Sequence, residues 1–362
     1  MCRMIGWVAM FAVTTAGAGM ASAESRKAED RRVRVFLLAG QSNMVGQAQN
    51  SLLEHQARAA DTKALFSHLR KGEEWIVRDD VFIKYQDRRG GLTIGYGSRN
   101  RTGLELEFGT SIGNHFKEPV LLVKTAWGGR SLFRDFRPPL SGFPDDALLQ
   151  KEWEDARKRV ADKNAKENRN DPLPALADIK ASYGQSYRMM VAELHDVINH
   201  GSTMFPELKG MQMDLTGFVW FQGWNDMFGD LAPKEYERNL MNLIDDLRRE
   251  FGKPGLPVVI GAMGQNGSKP AEGNMAVIKK AQFAMNEVAR YKGTVRTIPT
   301  DILVDRAAED LFPTWRQNLK QWQETGSDFG YHYYGSAIWF NRIGKAMADA
   351  MLAQHSEPPP SP

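Results

Sequence analysis

One cysteine occurs in the 362 residues of this sequence, and that scarcity excludes several kinds of site. Because Cys2 lies in an N-terminal leader, the rest of the chain has no thiol nucleophile, no disulfide framework and no cysteine-based zinc site. The sequence also lacks a dense block of Lys and Arg, and its formal net charge is only +3, so we expect no nucleic-acid partner. It contains neither a Walker motif nor a G-x-G-x-x-G motif, and no ligand-type residues have the spacing of a metal site. These absences predict a protein without a metal or another cofactor.

The N-terminal segment has the pattern of a secretory signal peptide. Arg3 precedes an apolar stretch from Ile5 to about Ala18, and Ala21-Ser22-Ala23 forms a small-residue cleavage site. Threonine and glycine residues interrupt the apolar stretch, which makes it too short and too polar for a membrane span. We therefore expect residues 1–23 to be removed, the mature protein to be secreted or periplasmic, and the membrane not to be a partner after cleavage.

What the sequence contains is a series of buried-strand patterns that alternate with helical patterns. Its 42% hydrophobic and 25% charged residues are ordinary for a soluble globular protein. The predicted strands are 33–40, 119–126, 216–221, 256–261 and 293–298, and the predicted helices are 104–116, 151–167, 181–200, 233–251, 275–291 and 336–352. This alternation predicts an α/β fold, a three-layer α/β/α sandwich with a mostly parallel sheet.

The domain organisation follows from the same patterns. We expect a single domain over residues 33–352, with an insertion at about 130–174 that covers one side of the site, since loops of this length tend to be functional. Residues 75–96 alternate around Gly90-Gly91 and predict a hairpin or an edge excursion. The proline-rich residues 353–362 are expected to form a disordered tail.

Chemically useful residues follow three of the predicted strands and precede the last helix. Ser42 follows the first strand, Gly128-Gly129 follow the second, Asn225 follows the third, and His332 precedes the last helix. Because the carboxyl ends of parallel strands meet at one edge of a sheet, these groups are expected to converge. Ester hydrolysis by covalent catalysis needs a hydroxyl nucleophile, a base and donors for the oxyanion, and these residues supply all three.

Four segments then carry a specific resemblance. The sequences G-Q-S-N-M at 40–44, T-A-W-G-G at 125–129, G-W-N-D at 223–226 and the region of Tyr331-His332 resemble the four blocks of the SGNH hydrolases. The closest resemblance is to the branch of sialate O-acetylesterases and acetyl xylan esterases, which carries G-Q-S-N-M in place of the G-D-S-L of the lipase branch. The resemblance extends over about residues 33–352 and is weakest in the insertion. It implies a flavodoxin-like SGNH fold, a carbohydrate O-acetylesterase activity and an acetylated carbohydrate as the partner.

The resemblance also implies a role for each matching residue. Ser42 would attack the acetyl carbonyl, and His332 would act as the general base and later protonate the departing sugar oxygen. The backbone N–H of Ser42, the backbone N–H of Gly128 or Gly129, and the side-chain amide of Asn225 would form the oxyanion hole.

The acid that orients His332 is the point where this sequence departs from the family pattern. The family places Asp three residues before the histidine, but position 329 is Phe, and the nearest acid is Asp328, four residues before. We expect Asp328 to serve if the loop bends. Asp301, Asp226 or a backbone carbonyl, which would leave a Ser-His dyad, are the alternatives.

Six further residues are candidates for substrate binding. The two tryptophans flank the proposed oxyanion donors and either stack on a sugar ring, wall off an acyl pocket, or belong to the core. Two glutamines and a glutamate are candidates for bracing the loops by hydrogen bonds, and an arginine is a candidate for meeting a carboxylate on an acidic sugar. These six residues are Trp127, Trp224, Gln41, Gln222, Glu105 and Arg130.

Particular sequence features bear on three alternatives to a carbohydrate O-acetylesterase. The α/β-hydrolase class is disfavoured because Ser42 does not lie in G-x-S-x-G. A lipase-like or aryl esterase of the same fold is one alternative, and a catalytically inactive carbohydrate-binding homologue is another, supported only by the displaced Asp. The natural glycan and the oligomeric state are not determined by the sequence.

Overall fold

The computed structural model describes residues 32–356, and its centre is a seven-stranded sheet. The predicted signal peptide and residues 357–362 of the predicted tail lie outside the described residues. The strands of this part of the chain are β1 (Arg32–Gly40), β2 (Ala48–Gln49), β3 (Arg70–Lys71), β4 (Glu74–Trp75), β5 (Val81–Tyr85), β6 (Arg88–Gly91), β7 (Arg101–Thr102), β8 (Val120–Ala126), β9 (Gln212–Phe221), β10 (Val258–Gly261) and β11 (Val295–Ile298).

The order in which the strands follow one another across the sheet reverses beside β1. The order across the sheet is β11-β10-β9-β1-β8-β5-β6, and every neighbouring pair is parallel except the β5-β6 hairpin. Without β5 and β6 this is the 2-1-3-4-5 order of flavodoxin-like folds, which bind ligands where the order reverses, here between β1 and β9. The predicted α/β fold with a mostly parallel sheet is confirmed.

Helices cover both faces of the sheet. They are α1 (Ser42–Val45), α2 (Asn50–Gln56), α3 (Lys63–Phe66), α4 (Glu105–His115), α5 (Asp146–Glu167), α6 (Leu176–Ser182), α7 (Gln185–Met204), α8 (Ala232–Glu250), α9 (Gly273–Ala284), α10 (Arg306–Leu311), α11 (Leu319–Thr325) and α12 (Ala337–Ser356). None of these helices, within residues 32–356, combines the length and the apolar character needed to cross a membrane.

The central strands are apolar on both faces because each face meets a helical layer. Phe36 and Leu38 of β1 belong to a core shared with α4 and α12, whereas Val35 and Leu37 belong to a second core shared with α7, α8 and α9. All seven residues of β8 are buried. A strand covered on both sides gains from an apolar residue at every position, which explains the unbroken apolar runs in the sequence.

The structure corrects the predicted boundaries of a hairpin and of a helix. The hairpin at 75–96 turns at Gln86-Asp87 rather than at Gly90-Gly91, because the apolar residues of β5 pair with β8 inside the central sheet. The helix predicted over 275–291 ends at Ala284 and continues as short 3₁₀ turns.

The last helix is longer than predicted, so residues 353–356 are not part of a disordered tail. It ends at Ser356 rather than at Leu352. The ring of His355 packs edge-on against Phe36 and Phe116, which holds the final turn against the core.

The predicted insertion at 130–174 contains α5 and a small apolar cluster of its own. Leu149 of α5 is buried against Ile179 and Tyr183, with Phe133 and Trp153 packed around them. The insertion is thus joined to the segment that leads into α7, and the backbone of its first residues bonds to Asp226, just after β9.

Candidate active site

Three strands of the sheet end at the same level, and this places the loops that follow them together. Gly40, the last residue of β1, pairs with Ala126 of β8 on one side and with Phe221 of β9 on the other. A Cβ atom at Gly40 would lie 2.1 Å from the carbonyl oxygen of Phe221, so only glycine fits at this close approach. Ser42 then begins α1, where its own backbone N–H has no partner within the helix.

Ser42 and His332 form a hydrogen-bonded pair although 290 residues separate them in sequence. The Nε2 atom of His332 lies 3.0 Å from the Oγ atom of Ser42. The side chain of Asn43 donates a hydrogen bond of 3.1 Å to the carbonyl oxygen of Tyr331, which ties α1 to the histidine segment. This geometry allows the hydroxyl proton to pass from Ser42 to the imidazole.

The backbone just after His332 is held in an unfavourable conformation. Tyr333 and Tyr334 have φ values of +55° and +57°, in the left-handed region that costs a residue with a Cβ roughly 1–2 kcal/mol. The buried hydroxyl of Tyr333 accepts a hydrogen bond of 2.9 Å from the N–H of Gly264 and lies 3.1 Å from the hydroxyl of Thr300. These contacts anchor the segment that carries His332.

Asp328 is the acid that the structure brings to His332. Its Oδ1 atom lies 3.2 Å from Nδ1 of His332, within ion-pair distance of the ring when it is protonated, although the ring nitrogen is not aligned for a hydrogen bond. Asp328 also accepts hydrogen bonds from the N–H of Phe329, at 2.8 Å, and from Arg101. Burial by itself raises the pKa of the Asp328 carboxyl, but His332, the Phe329 N–H and Arg101 outweigh it and hold that pKa below its ordinary value. The carboxylate beside the imidazole therefore stays ionised.

The two alternative acids have other partners. Asp301 pairs with Lys279 at 2.6 Å. Asp226 is fully buried and accepts hydrogen bonds of 2.7 Å from the N–H groups of Leu132 and Phe133, and burial raises its pKa to about 7. Asp226 thus joins the start of the insertion to the loop after β9 rather than orienting the imidazole.

Asn225 has a defined amide orientation that follows from its neighbour Gln41. The Oε1 atom of Gln41 accepts hydrogen bonds from the backbone N–H groups of Gly223 and Asn225, at 3.2 and 3.3 Å. A backbone N–H can only donate, so the other end of the Gln41 amide is Nε2, which donates to Oδ1 of Asn225 at 3.1 Å. The Nδ2 group of Asn225 donates to no protein atom in residues 32–356 and is available to a bound oxyanion.

Gly128 and Gly129 form the exposed turn after β8, beside the turn that carries Ser42. Trp127 donates its backbone N–H to the carbonyl of Gly40 at 3.3 Å, which keeps this turn against the end of β1. Within the described chain, the N–H groups of Gly128 and Gly129 donate to no other protein group, and Gly129 has a φ of +70°. Both are therefore open donors at the same edge as Ser42 and Asn225.

Three of the six candidate residues, those considered for bracing the loops, are buried inside the protein. Gln41 and Gln222 are 2% and 3% exposed, and Glu105 is fully buried. Gln222 donates to Asp226 at 2.6 Å, and Glu105 pairs with the equally buried Lys124 at 2.9 Å. Their polar atoms bind other parts of the protein, so they brace the loops and do not face a substrate.

The other three candidates remain accessible. Trp127 and Trp224 are partly exposed, and Trp224 packs against Tyr331 at a ring separation of 6.0 Å. Arg130 is half-exposed but forms an ion pair with Asp135 at 2.8 Å. The structure therefore keeps the two tryptophans beside the site and gives Arg130 a carboxylate partner within the protein.

Arg101 and Gln47 belong to the site but were not found from the sequence. Gln47 donates to the carbonyl oxygen of Ser42 at 2.8 Å, and Arg101 donates both to Oε1 of Gln47, at 2.8 Å, and to Asp328. Arg101 thus links the acid to the turn of the nucleophile. No motif marks it, because it lies in a short strand whose role depends on distant contacts.

A comparison with protein families matches one model over most of the chain. The model described as carbohydrate esterase, sialic acid-specific acetylesterase, matches residues 32–169 and 176–306. Ser42, Gly128, Gly129 and Asn225 fall inside the matched residues, whereas Asp328 and His332 lie beyond them. No curated protein matches the chain.

Comparison with solved structures finds distant likenesses. A protein from Arabidopsis thaliana is similar at 15% identity and a TM-score of 0.49, over 89% of this chain and 98% of its own. A carbohydrate acetylesterase from Xanthomonas citri is similar at 15% identity and a TM-score of 0.41, over 75% of this chain and 51% of its own. NanS is similar at 10% identity and a TM-score of 0.44, over 75% of this chain and 78% of its own.

Proposed function

The chain belongs to the carbohydrate esterase family of sialic acid-specific acetylesterases, and from this premise we propose that it is a secreted serine esterase that removes O-acetyl groups from carbohydrates. The observation that carries the proposal is the 3.0 Å contact between Nε2 of His332 and Oγ of Ser42. Because this pair lies at the edge where the amide of Asn225 is open, one bound ester can meet the nucleophile, the base and an oxyanion donor together.

In the first half of the proposed reaction, the acetyl group moves from the sugar to the enzyme. The Oγ atom of Ser42 attacks the acetyl carbonyl while Nε2 of His332 takes its proton. The N–H of Ser42, the N–H of Gly128 or Gly129, and Nδ2 of Asn225 stabilise the negative oxygen of the tetrahedral intermediate. The intermediate collapses, the bond to the sugar oxygen breaks, and His332 gives its proton to that oxygen.

In the second half, water releases acetate. His332 takes a proton from a water molecule, which attacks the acetyl carbonyl, and the same donors stabilise the second oxyanion. The bond to Oγ of Ser42 then breaks, and the proton on His332 returns to Oγ. Asp328 supports both halves, because its carboxylate beside Nδ1 stabilises the imidazolium that forms each time.

The proposal includes an exported, single-domain protein. The signal-peptide pattern of residues 1–23 supports export, and the domain predicted over residues 33–352, with the insertion at about 130–174, continues to Ser356 through the last helix. Asp226 connects the start of this insertion to the loop that carries Asn225, which supports a role for the insertion in shaping the site.

The test compares acetate release from 4-nitrophenyl acetate and from acetylated xylan by the wild type, Ser42→Ala and His332→Ala. Each variant is expected to lose about a thousandfold or more in kcat, because the nucleophile and base act as a unit. Ser356→Ala and His200→Ala are matched controls, since both residues lie on exposed helical positions outside the site. Labelling of the wild type, but not of Ser42→Ala, by a fluorophosphonate is the second expected result.

Three outcomes would contradict the proposal. Activity retained by Ser42→Ala would show that Ser42 is not the nucleophile. The absence of both acetate release and labelling in the wild type would favour an inactive carbohydrate-binding homologue. In a chain-length series of nitrophenyl esters, faster hydrolysis of long acyl chains than of acetate would favour a lipase-like esterase.

A further inference from the structure

A cavity of about 520 Å³ lies directly behind the acid of the site. Asp328 and Phe329 form one of its walls, α11 and the residues before it form another, and Gln49 and Arg101 also line it. Because Asp328 contacts both His332 and this cavity, the cavity lies on the histidine side of the site. Its volume is within the range of small-ligand sites, about 300–1,000 Å³.

The cavity is lined by aromatic rings with polar groups between them. Phe312, Trp315, Trp322 and Phe329 supply the rings, which lie 5.6 to 6.4 Å from their neighbours. Exposed amides of Gln49 and Gln323, the hydroxyl of Ser51 and the guanidinium of Arg101 supply the polar groups. A sugar ring has an apolar C–H face, which packs on an aromatic face, and a rim of hydroxyls, which bond to amides and guanidinium groups. The lining therefore fits a sugar better than a fatty chain.

An aromatic surface joins the cavity to the nucleophile. The exposed rings of Phe329 and Tyr331 are stacked at 5.5 Å with an angle of 10° between their planes. Tyr331 in turn lies 4.5 Å from the ring of His332 and 6.0 Å from the ring of Trp224. These rings form a continuous aromatic surface between the cavity and His332, along which an extended ligand can lie.

The side of the site on which the cavity lies decides which part of the ester reaches it. In ester hydrolysis the carbonyl oxygen faces the oxyanion donors, here Asn225 and the Gly128-Gly129 turn, whereas the leaving oxygen faces the base. The cavity is on the side of His332, so it receives the alcohol part of the substrate. For a carbohydrate ester that part is the glycan.

We propose that this cavity is a second sugar-binding subsite, which holds a sugar residue of the same glycan at a distance from the acetylated one. The proposal rests on the esterase function proposed above and makes it more specific: the substrate is an acetylated oligosaccharide or polysaccharide rather than an acetylated monosaccharide. Trp315 is the central binding residue, because it lines the cavity and packs edge-on against Phe329 at 6.2 Å.

The test measures kcat/KM for O-acetylated glycans of increasing length. Two series are used, acetylated xylo-oligosaccharides and acetylated sialylated oligosaccharides, each from one sugar residue to five, with 4-nitrophenyl acetate as the small reference ester. In the wild type, kcat/KM is expected to rise about tenfold or more with length in the series whose backbone fits. In Trp315→Ala, the ratio of kcat/KM for the longest glycan to that for 4-nitrophenyl acetate is expected to fall by about the same factor.

Two further variants show whether a change in this ratio comes from the cavity or from a general loss of an aromatic side chain. Gln323→Ala removes an exposed amide of the cavity without changing its packing, and it is expected to lower the same ratio by about threefold. Phe251→Ala is the matched aromatic control, because Phe251 is partly exposed in the segment before β10, at the opposite edge of the sheet. Its ratio is expected to equal that of the wild type.

Failure of the subsite and failure of the esterase are separable. If the wild type hydrolyses 4-nitrophenyl acetate through Ser42 but gains nothing with glycan length in either series, the subsite is overturned and the esterase stands. A gain with length that both Trp315→Ala and Gln323→Ala retain also overturns it. If Trp315→Ala instead slows long-chain nitrophenyl esters selectively, the occupant is an acyl chain and the sugar assignment is wrong.

Discussion

Gln41 decides which atom of Asn225 faces a bound ester. The backbone N–H groups of Gly223 and Asn225 both donate to Oε1 of Gln41, so its Nε2 must donate to Oδ1 of Asn225. That contact leaves Nδ2 as the free donor. Gln41 thus acts on the reaction through Asn225 and is a positioning residue.

Changing Gln41 to glutamate is expected to turn the Asn225 amide around. In Gln41→Glu the carboxylate still accepts from the backbone N–H groups but has no hydrogen to donate, so Nδ2 of Asn225 turns toward it and leaves the oxyanion. We expect kcat to fall about a hundred- to a thousandfold with little change in KM, as in Asn225→Ala. The double variant is expected to be no slower than either single variant.

The control for this prediction is Gln212→Glu, which adds the same charge at an exposed position where β9 begins, at the far edge of the sheet. Its kcat is expected to equal that of the wild type. Additive losses in the double variant of Gln41 and Asn225 would show that the two residues act independently and would refute the positioning role.

Asp328 is expected to stabilise the fold in a pH-dependent way. The pKa of Asp328 is held below its ordinary value of 3.8, so the folded chain stabilises the ionised carboxylate more than the unfolded chain does. This stabilisation is present above about pH 4 and is lost as the pH falls through the lower, folded-state pKa. Asp328→Asn is therefore expected to lower the melting temperature at about pH 7, and the difference from wild type is expected to shrink toward about pH 2. Melting curves followed by circular dichroism measure both. Asp310→Asn, at an exposed position, is the control, and a difference that grows on acidification would contradict the prediction.

The segment from Gly330 to Gly335 places His332 by means of backbone strain and one buried hydroxyl. Tyr333, Tyr334 and Gly335 have consecutive φ values of +55°, +57° and +56°, a conformation that only packing can maintain in the two tyrosines. The hydroxyl of Tyr333 helps to maintain this conformation through its hydrogen bonds with Gly264 and Thr300.

Tyr333→Phe removes the hydroxyl and leaves the buried N–H of Gly264 without this acceptor. We expect the free energy of unfolding to fall by about 1–3 kcal/mol and kcat to fall as His332 leaves its position beside Ser42. Urea unfolding and steady-state kinetics test the two effects. Tyr291→Phe is the matched control, since its buried hydroxyl also has two partners but precedes β11 at the opposite edge, so its variant is expected to lose stability and keep kcat. An equal loss of kcat in both variants would contradict the prediction.

The strands and their ends were the elements most accessible from the sequence. Buried parallel strands are continuous apolar runs, and the glycine at the end of β1 is required by the 2.1 Å approach of Phe221, so both leave local marks. β5 is harder to predict from the sequence, since it is short and lies on the outer side of β8. Its neighbour β6 contains two glycines. Its place in the sheet depends on pairing with a strand 35 residues or more away along the chain, which no local pattern reveals.

One buried ion pair contributes both to the stability of the whole molecule and to the position of the turn that carries Ser42. Lys124 of β8 and Glu105 of α4 are both completely buried and 2.9 Å apart. Lys124 also donates to the carbonyl oxygens of Val45, at the end of α1, and of Tyr96. Burial lowers the pKa of Lys124, and the carboxylate of Glu105 opposes this shift.

The losses of stability from removing the two members of this pair are expected not to add. Lys124→Met leaves Glu105 as a buried charge without its partner, which is expected to lower the free energy of unfolding by about 3–5 kcal/mol. The double variant with Glu105→Gln is expected to lose clearly less than the sum of the two single variants. Urea unfolding measures each. Lys345→Met breaks an exposed pair with Asp349 and is expected to cost less than about 1 kcal/mol, and a similar cost for Lys124→Met would refute the prediction.

The sequence by itself determined the family, five of the seven strands of the sheet, and the residue types at the strand ends, because periodicity and short motifs are local properties of the chain. Only the tertiary structure decided that Asp328, rather than Asp226 or Asp301, lies beside His332, and that Gln41 and Glu105 are buried braces. The same holds for Arg101, which reaches Asp328 across 227 residues of sequence. A side chain's partner is set by how distant segments pack, so a hydroxyl, an amide or a carboxylate has the same local sequence whether it faces solvent, another loop or the substrate.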